Sequence, residues 1–326
     1  MKILIIGAAG MVGRKLAEAL IAGALPNSID ALILSDVVAP AIPPAAQSYT
    51  SSKAADLSAP GAVETLIADR PDLIFHLAAI VSGEAEANFD KGYRVNFDGT
   101  RALFEAIRLE NRKSGYKPKL VFTSSIAVFG EPFPEAIPDD FFHTPLSSYG
   151  TQKAMCELLL SDYSRRGFFD GIGIRLPTIV IRPGAPNAAA SGFFSGILRE
   201  PLTGKEAKLP VGEETRHWFA SPRAAVGFLL HAAKLDTARL GTRRNLTMPG
   251  ISATVGEEIE ALRRVAGDGA TALIRREADP AVAKLVAGWP RNFDAARATE
   301  LGFQAEKTFD EIIAAHLEDE LGRAKT

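Results

Sequence analysis

Short apolar runs recur along the first half of the chain, and between them apolar side chains return every three or four positions. The runs over Lys2–Ile6, Ala31–Ser35, Leu73–His76, Lys119–Thr123 and Gly171–Leu176 predict strands. The stretches over Met11–Ala22, Ala62–Asp69, Arg94–Asn111 and Tyr149–Arg166 predict helices. Strands alternating with helices of this length imply βαβ units and a parallel sheet covered on both faces. The expected fold is therefore α/β, a doubly wound parallel sheet over residues 1–182, with a smaller, mostly helical cap over 183–326 from which some segments return to the main sheet. Pro40, Pro43 and Pro44 predict a surface loop, and Glu131–Pro145 a second one, rich in proline and acid. The stretch from Pro183 through Gly192, with its small residues, is expected to be a mobile segment over a binding site.

Sheets of this kind take ligands beyond the carboxyl ends of their strands, at the point where strand order switches. Gly7, Gly10 and Gly13 follow the first predicted strand and open a helix. Gly7 permits a tight turn, Gly10 lets the backbone approach a pyrophosphate, and Gly13 allows helix and strand to pack closely. The amides of Met11, Val12 and Gly13 would then face phosphate at the helix N-terminus. This is the Rossmann-type arrangement, with G-x-x-G-x-x-G spacing. Asp36 ends the second strand, where a carboxylate accepts hydrogen bonds from an adenosine ribose and repels a 2′-phosphate. No arginine follows it directly, so the expected cofactor is NAD rather than NADP. Asp56, next to Leu57, would lie by the adenine amine or else serve as a helix cap before Ser58. Leu77, Ala78 and Ala79 end the third predicted strand with small residues suited to backbone lying against a cofactor, and His76 beside them reads as a core histidine. Asn96 would either pin strand ends near the cofactor or face solvent.

Tyr149 and Lys153 are four residues apart on a predicted helix and so share one face. A secondary alcohol gives up hydride only with concerted proton removal, and a phenol of pKa about 10 is a poor base at neutral pH. A lysine ammonium nearby favours the phenolate, by up to roughly three pKa units at about 4 Å. Lys153 would also hold the nicotinamide ribose. A hydroxyl to position the substrate oxygen is expected from Ser125, in preference to Ser124, at the end of the fourth strand.

Composition narrows the partners. The 326 residues are 47% hydrophobic and 23% charged, enough for a large nucleotide-binding domain with a smaller one appended. Lysine plus arginine total 37 against 39 acidic residues, which leaves no basic stripe for nucleic acid and no polybasic membrane anchor. The single cysteine, Cys156, excludes an intrachain disulfide, and no metal-ligand spacing appears around it or the five histidines. The apolar run Ile3–Ile6 is too short for a secretion signal and no run suits a membrane helix, so a cytoplasmic location is expected.

These residues together resemble the extended short-chain dehydrogenase/reductases of the NAD-dependent epimerase/dehydratase group. The likeness spans nearly the whole chain and rests on Gly7-x-x-Gly10-x-x-Gly13, Asp36, His76–Ala79, Asn96, Ser125, Tyr149-x-x-x-Lys153 and the late segment Asp294–Phe303. It implies catalytic roles for Ser125, Tyr149 and Lys153, with Pro177 and Thr178 beside the nicotinamide carboxamide. It also implies a homodimer through the helices Arg94–Asn111 and Tyr149–Arg166. The chain departs from the sugar-nucleotide members. Arg175–Gly184 lacks their asparagine and tyrosine-glycine-proline turn, and Arg216-His217-Trp218-Phe219 keeps an arginine without the acidic residues that follow it there. Within the group the resemblance is to D-erythronate dehydrogenases, on Ala79–Glu86, Arg182-Pro183-Gly184 and Arg216-His217-Trp218. It implies oxidation of the C2 hydroxyl of a short sugar acid, with a sugar or sugar-nucleotide epimerase or dehydratase as the alternative. Arg182 and Arg216 are the candidates for the substrate carboxylate, Ser82, Ser125, Tyr149 and Thr178 for its hydroxyls. Phe193, Phe194 and Trp218 would either close the pocket against water or form cap core.

Overall fold

The computed structural model describes residues 1–184 and 191–322. Asn187–Ala190, part of the segment expected to be mobile, lie outside the described residues. Twelve strands are present among those described: β1 (Lys2–Ile6), β2 (Ala31–Asp36), β3 (Thr50–Ala54), β4 (Leu73–His76), β5 (Lys119–Ser125), β6 (Asp170–Leu176), β7 (Thr178–Ile179), β8 (Ala207–Leu209), β9 (Arg216–Ala220), β10 (Asn245–Thr247), β11 (Ile251–Thr254) and β12 (Ile274–Arg276). The chain forms two compact units.

Unit 1 comprises Met1–Val128, Ser147–Arg175 and Val226–Leu246. Its sheet has the order β10-β6-β5-β4-β1-β2-β3, in which β5, β4, β1, β2 and β3 run parallel. The chain moves outward from β1 to β3 and then returns to the other side of β1 as β4. The switch point therefore lies at the carboxyl ends of β1 and β4, where Gly7 and Leu77 begin. Lys2–Ile6 is buried at four of its five positions, because a parallel sheet is covered on both faces. One covering layer, built from Leu66, Leu103, Phe104, Ile107 and Leu160, packs on Leu4, Ile74, Leu120 and Phe122 of the sheet.

The helices of unit 1 include α1 (Met11–Ile21), α2 (Ala62–Ile67), α3 (Ser82–Ala87), α4 (Phe89–Gly92), α5 (Gly99–Ser114) and α6 (Ser148–Arg165), and most of the helix Pro222–Lys234 belongs to it as well. The predicted helix Arg94–Asn111 is in fact a π-helical turn, Tyr93–Asp98, running straight into α5. The sequence pattern misses β3, Thr50-Ser51-Ser52-Lys53-Ala54, since an edge strand carries polar residues and lysine where a central one is apolar.

Unit 2 comprises Phe129–Leu146, Leu176–Ala225 and the chain from Thr247 on. The division thus departs from the expected boundary at residue 182, and Val226–Leu246 is the segment that returns to the sheet unit. Phe129–Leu146 belongs to unit 2 because it is tied there. Ile137 exchanges backbone hydrogen bonds with Asn292 and Asp294, and Asp139 accepts from the Thr247 amide and from Arg297. Short strands accompany the helices of unit 2. Unit 2 holds the sheet β11-β9-β7 and the parallel pair β12-β8, whose strands of two to five residues are too short to show a period. Its core joins Phe194, Ile197 and Leu198 of α7 (Gly192–Leu202) to Ile259 and Leu262 of a later helix, Val255–Ala266, and to Ile312 and Ile313 of the closing helix. No helix among the described residues is long and apolar enough to cross a membrane.

Candidate active site

The glycine turn is built as closely as the spacing demands. Gly7 sits at φ +93°, and a Cβ there would lie 2.6 Å from the Ala78 nitrogen. A Cβ on Gly13 would lie 2.2 Å from the Gly7 carbonyl oxygen, so helix and strand could not approach with any side chain present. A Cβ on Gly10 would meet only the Gly7 carbonyl oxygen, at 3.4 Å. Helix α1 begins with no side-chain cap and no acid in its first turn, which leaves the amides of Met11, Val12 and Gly13 without an intrahelical or capping partner. Asp36 is held at the end of β2 by two backbone amides, Ala9 N at 3.0 Å and Val37 N at 2.7 Å. The cradle therefore has the shape, the donors and the ribose acceptor that a dinucleotide requires.

Asp56 accepts from both the amide and the hydroxyl of Ser58, which hold its carboxyl below the usual range. It closes a local turn five residues ahead of α2, and Leu57 is buried against the sheet core. Leu77, Ala78 and Ala79 are half-buried beyond β4. Asn96 is buried in the π-turn and clamps the chain two residues before Ser82. Its Oδ1 accepts from Ile80 N at 2.8 Å and its Nδ2 donates to Ile80 O at 3.1 Å. Gln152, which the sequence reading passed over, orients that amide by accepting from Asn96 Nδ2 at 2.8 Å. His76 is buried and bonded to the Thr100 hydroxyl, and burial with the nearby Lys153 charge pushes its pKa down to about 3.

Helix α6 starts at a Ser147 cap and carries Tyr149 in its first turn and Lys153 in its second. The Ser125 hydroxyl acts on the Tyr149 phenol in the sense that lowers its pKa, whereas Ser124 turns the other way and donates to Glu157. Lys153 is 2% exposed, donates to Thr123 O at 2.8 Å, and lies 5.8 Å from the Tyr149 ring centre and 4.7 Å from that of Phe122. Burial lowers its pKa to about 8, against the opposing pull of Cys156 and Glu157. Burial also pushes the Tyr149 phenol up to about 12, with the Ser125 hydroxyl acting in the opposite sense. The lowering of the phenol expected from lysine does not prevail, and burial dominates. Desolvation penalises the phenolate, and Lys153 is spent on a carbonyl rather than on the phenol oxygen.

Behind this pair lies a buried ion pair that the sequence reading missed. Glu157 is fully buried one turn after Lys153, and its carboxylate takes Arg175 Nε at 3.0 Å and Nη2 at 2.8 Å. An acid four residues after the lysine, and an arginine next to the end of the fifth predicted strand, were the signals available.

In unit 2, Thr178 Oγ1 lies 2.6 Å from His217 Nε2. Pro177 is buried ahead of it. Arg182 donates to the Ser191 hydroxyl at 2.6 Å, and burial together with Arg199 lowers its pKa. Arg216 donates to Ser252 O at 3.0 Å and pairs with Glu257 at 3.3 Å. Phe194 is wholly buried and Trp218 nearly so, Phe194 within the core and Trp218 bonded to Met248 O.

The fold is α/β with a glycine cradle suited to a dinucleotide, and comparison with known proteins gives the class. Residues 3–246 match the NAD dependent epimerase/dehydratase family, and the chain belongs to it. A D-erythronate dehydrogenase of Cupriavidus necator is 49% identical over 98% of both chains. A second, of Haemophilus influenzae, is 44% identical over 98% of this chain and 99% of its own. The crystal structure of a nucleoside-diphosphate-sugar epimerase from Agrobacterium tumefaciens is 65% identical, covers 99% of this chain and 95% of its own, and superposes with a TM-score of 0.97.

Proposed function

We propose that this chain is an NAD-dependent dehydrogenase that oxidises the C2 hydroxyl of a short sugar acid, D-erythronate giving 2-oxo-D-erythronate. The observation that carries the chemistry is the placing of Tyr149 and Lys153 one turn apart on α6, with Ser125 the hydroxyl that acts on the phenol. Two relatives of nearly full length named D-erythronate dehydrogenase support the substrate.

In this reading Gly7, Gly10, Met11, Val12 and Gly13 hold the pyrophosphate and Asp36 the adenosine ribose. Leu77, Ala78, Ala79 and the clamp at Asn96 line the cofactor, and Asp56 and Leu57 border its adenine. Bound NAD supplies the hydride acceptor. Tyr149 takes the hydroxyl proton as the C2 hydrogen leaves with its electron pair, so the alcohol becomes a ketone and one proton is released. Ser125 donates its one hydroxyl hydrogen to the substrate oxygen, and Lys153 holds the nicotinamide ribose while its charge favours the phenolate. Ser82 and Thr178 take substrate hydroxyls, with Pro177 beside the carboxamide. Of the two arginines, Arg182 fits the carboxylate better. It is buried beside the cationic Arg199, where an anion gains most, while Arg216 is 39% exposed and already paired with Glu257. The protein is further proposed to work in the cytoplasm as a homodimer through α5 and α6, which leave Leu109 42% and Leu158 63% exposed.

The Agrobacterium protein's description favours a second reading, a nucleotide-sugar epimerase. An epimerase returns its hydride and accumulates no NADH. The protein is therefore given D-erythronate, other sugar acids and nucleotide sugars, each with NAD and with NADP, and absorbance of the reduced nicotinamide is followed. Net NADH with D-erythronate is expected. A nucleotide sugar that changes configuration, with no sugar acid yielding NADH, overturns the proposal.

A further inference from the structure

A short hydrogen-bond chain in unit 2 fixes the direction of a hydroxyl. The carbonyl of Pro290 can only accept, so His217 Nδ1, 2.9 Å from it, carries the ring proton. A neutral imidazole protonated there has a bare lone pair on Nε2, and Thr178 Oγ1, 2.6 Å away, must donate to it. Burial keeps the ring neutral, with its pKa lowered to about 4.

The ring is also held in place. It stacks on Phe194 at 5.4 Å between centres and 4° between planes, tilts against Trp289 at 5.3 Å, and meets Phe219 edge-on. Register does the rest: Thr178 pairs with Phe219 across β7 and β9, which places His217 diagonally from Thr178 on the same face. His217 is 2% exposed while Thr178 is only half-buried. With its proton committed inward, the Thr178 oxygen has only lone pairs to offer a ligand.

We propose that His217 is a positioning residue that makes the Thr178 hydroxyl an obligate hydrogen-bond acceptor, so that the bound ligand must present an O–H or N–H donor to it. This rests on the dehydrogenase reading, and two donors then qualify: a hydroxyl of the sugar acid and the amino group of the nicotinamide carboxamide. Ligand groups that only accept, such as carboxylate or phosphate oxygens, are turned away from Thr178.

The test compares His217→Leu, His217→Gln, Thr178→Val and the double variant His217→Leu/Thr178→Val in the full-length protein. Three quantities are read: the KM of the sugar acid, the Kd of NADH by fluorescence titration, and Tm. His217→Leu and Thr178→Val are each expected to weaken one ligand by about tenfold, the double variant no further than Thr178→Val alone, and Gln, which can accept from Thr178 and donate to Pro290, to recover most of the loss. If the donor is a sugar-acid hydroxyl, its KM rises and the NADH Kd stays. If it is the carboxamide, the NADH Kd rises, while binding of the reduced 3-acetylpyridine analogue, which lacks the amino group, does not change. Either pattern supports the proposal. Additive effects of the two substitutions, or a lower Tm with both ligand constants unchanged, overturn it. Absence of turnover by wild-type protein with every sugar acid is a failure of the dehydrogenase reading alone, and the KM arm is then run on whichever substrate the panel identifies.

Discussion

The two units bury a glutamate in opposite ways. Unit 1 buries charge and surrounds it: Glu157 meets Arg175 and Ser124, and Lys153 meets a carbonyl and the face of Phe122. In unit 2 Glu258 and His217 are buried uncharged, as His76 is in unit 1. His217 has its pKa lowered to about 4, and Glu258, fully buried on the helix Val255–Ala266, has neither carboxylate oxygen bonded among the described residues. Burial alone raises the Glu258 carboxyl well above its ordinary value, so it stays protonated. Glu157 keeps its charge because Arg175 pairs with it, and Glu258 has no such partner among the described residues, where an unpaired buried ion would cost several kcal/mol.

The sharpest way to break that contrast is Tyr149→Phe, which removes the proton acceptor and leaves the surrounding charges in place. Turnover is expected to fall by about 10³-fold, read as kcat with D-erythronate. Next in size is Arg175→Met, which strands Glu157 as an unpaired buried carboxylate. Urea unfolding at pH 7 is expected to show a loss of about 3–5 kcal/mol. A loss no larger than that of a surface substitution would mean that Glu157 is not charged in the fold.

Ser125→Ala removes the hydroxyl that opposes the rise in the Tyr149 pKa. The rising limb of kcat against pH is therefore expected to move to higher pH, with kcat at pH 7 falling about tenfold. A profile that keeps its midpoint would separate the serine from the phenol. The smallest effect belongs to Glu258. Its folded pKa lies above the unfolded value of 4.5, so the unfolded chain loses its proton first as pH rises. Stability attributable to this group is complete below about pH 4.5 and declines above it. Glu258→Gln should therefore raise Tm at pH 8 relative to wild type and lose that advantage at pH 4. A Tm gain independent of pH would mean that protonation is not its origin.

The same division governs how much of the molecule could be read from its residues. In unit 1 the strands Lys2–Ile6 and Leu73–His76 lie where the apolar runs put them, because a strand buried on both faces is apolar from end to end. The turn at Gly7 was legible for an equally local reason: a positive φ beside a crowded backbone admits no side chain. The π-turn around Asn96 was not legible, since one extra residue per turn leaves no mark on an apolar pattern. Nor were the strands of unit 2, which are too short for a period. The direction of the Tyr149 shift was beyond reach as well. It depends on how deeply the phenol is desolvated and on where Lys153 sends its proton, and both are set by tertiary packing. The Thr178–His217 contact comes from the pairing of two strands far apart in sequence.

The account turns on one hydride leaving C2 of a sugar acid as Tyr149 takes the hydroxyl proton. D-erythronate deuterated at C2 and incubated with NAD tests this most directly, with deuterium followed by mass spectrometry. One deuterium in each reduced nicotinamide formed, and none in the 2-oxo acid, is the predicted result; deuterium kept in the carbohydrate, or exchanged into a nucleotide sugar without reduced cofactor, would contradict it.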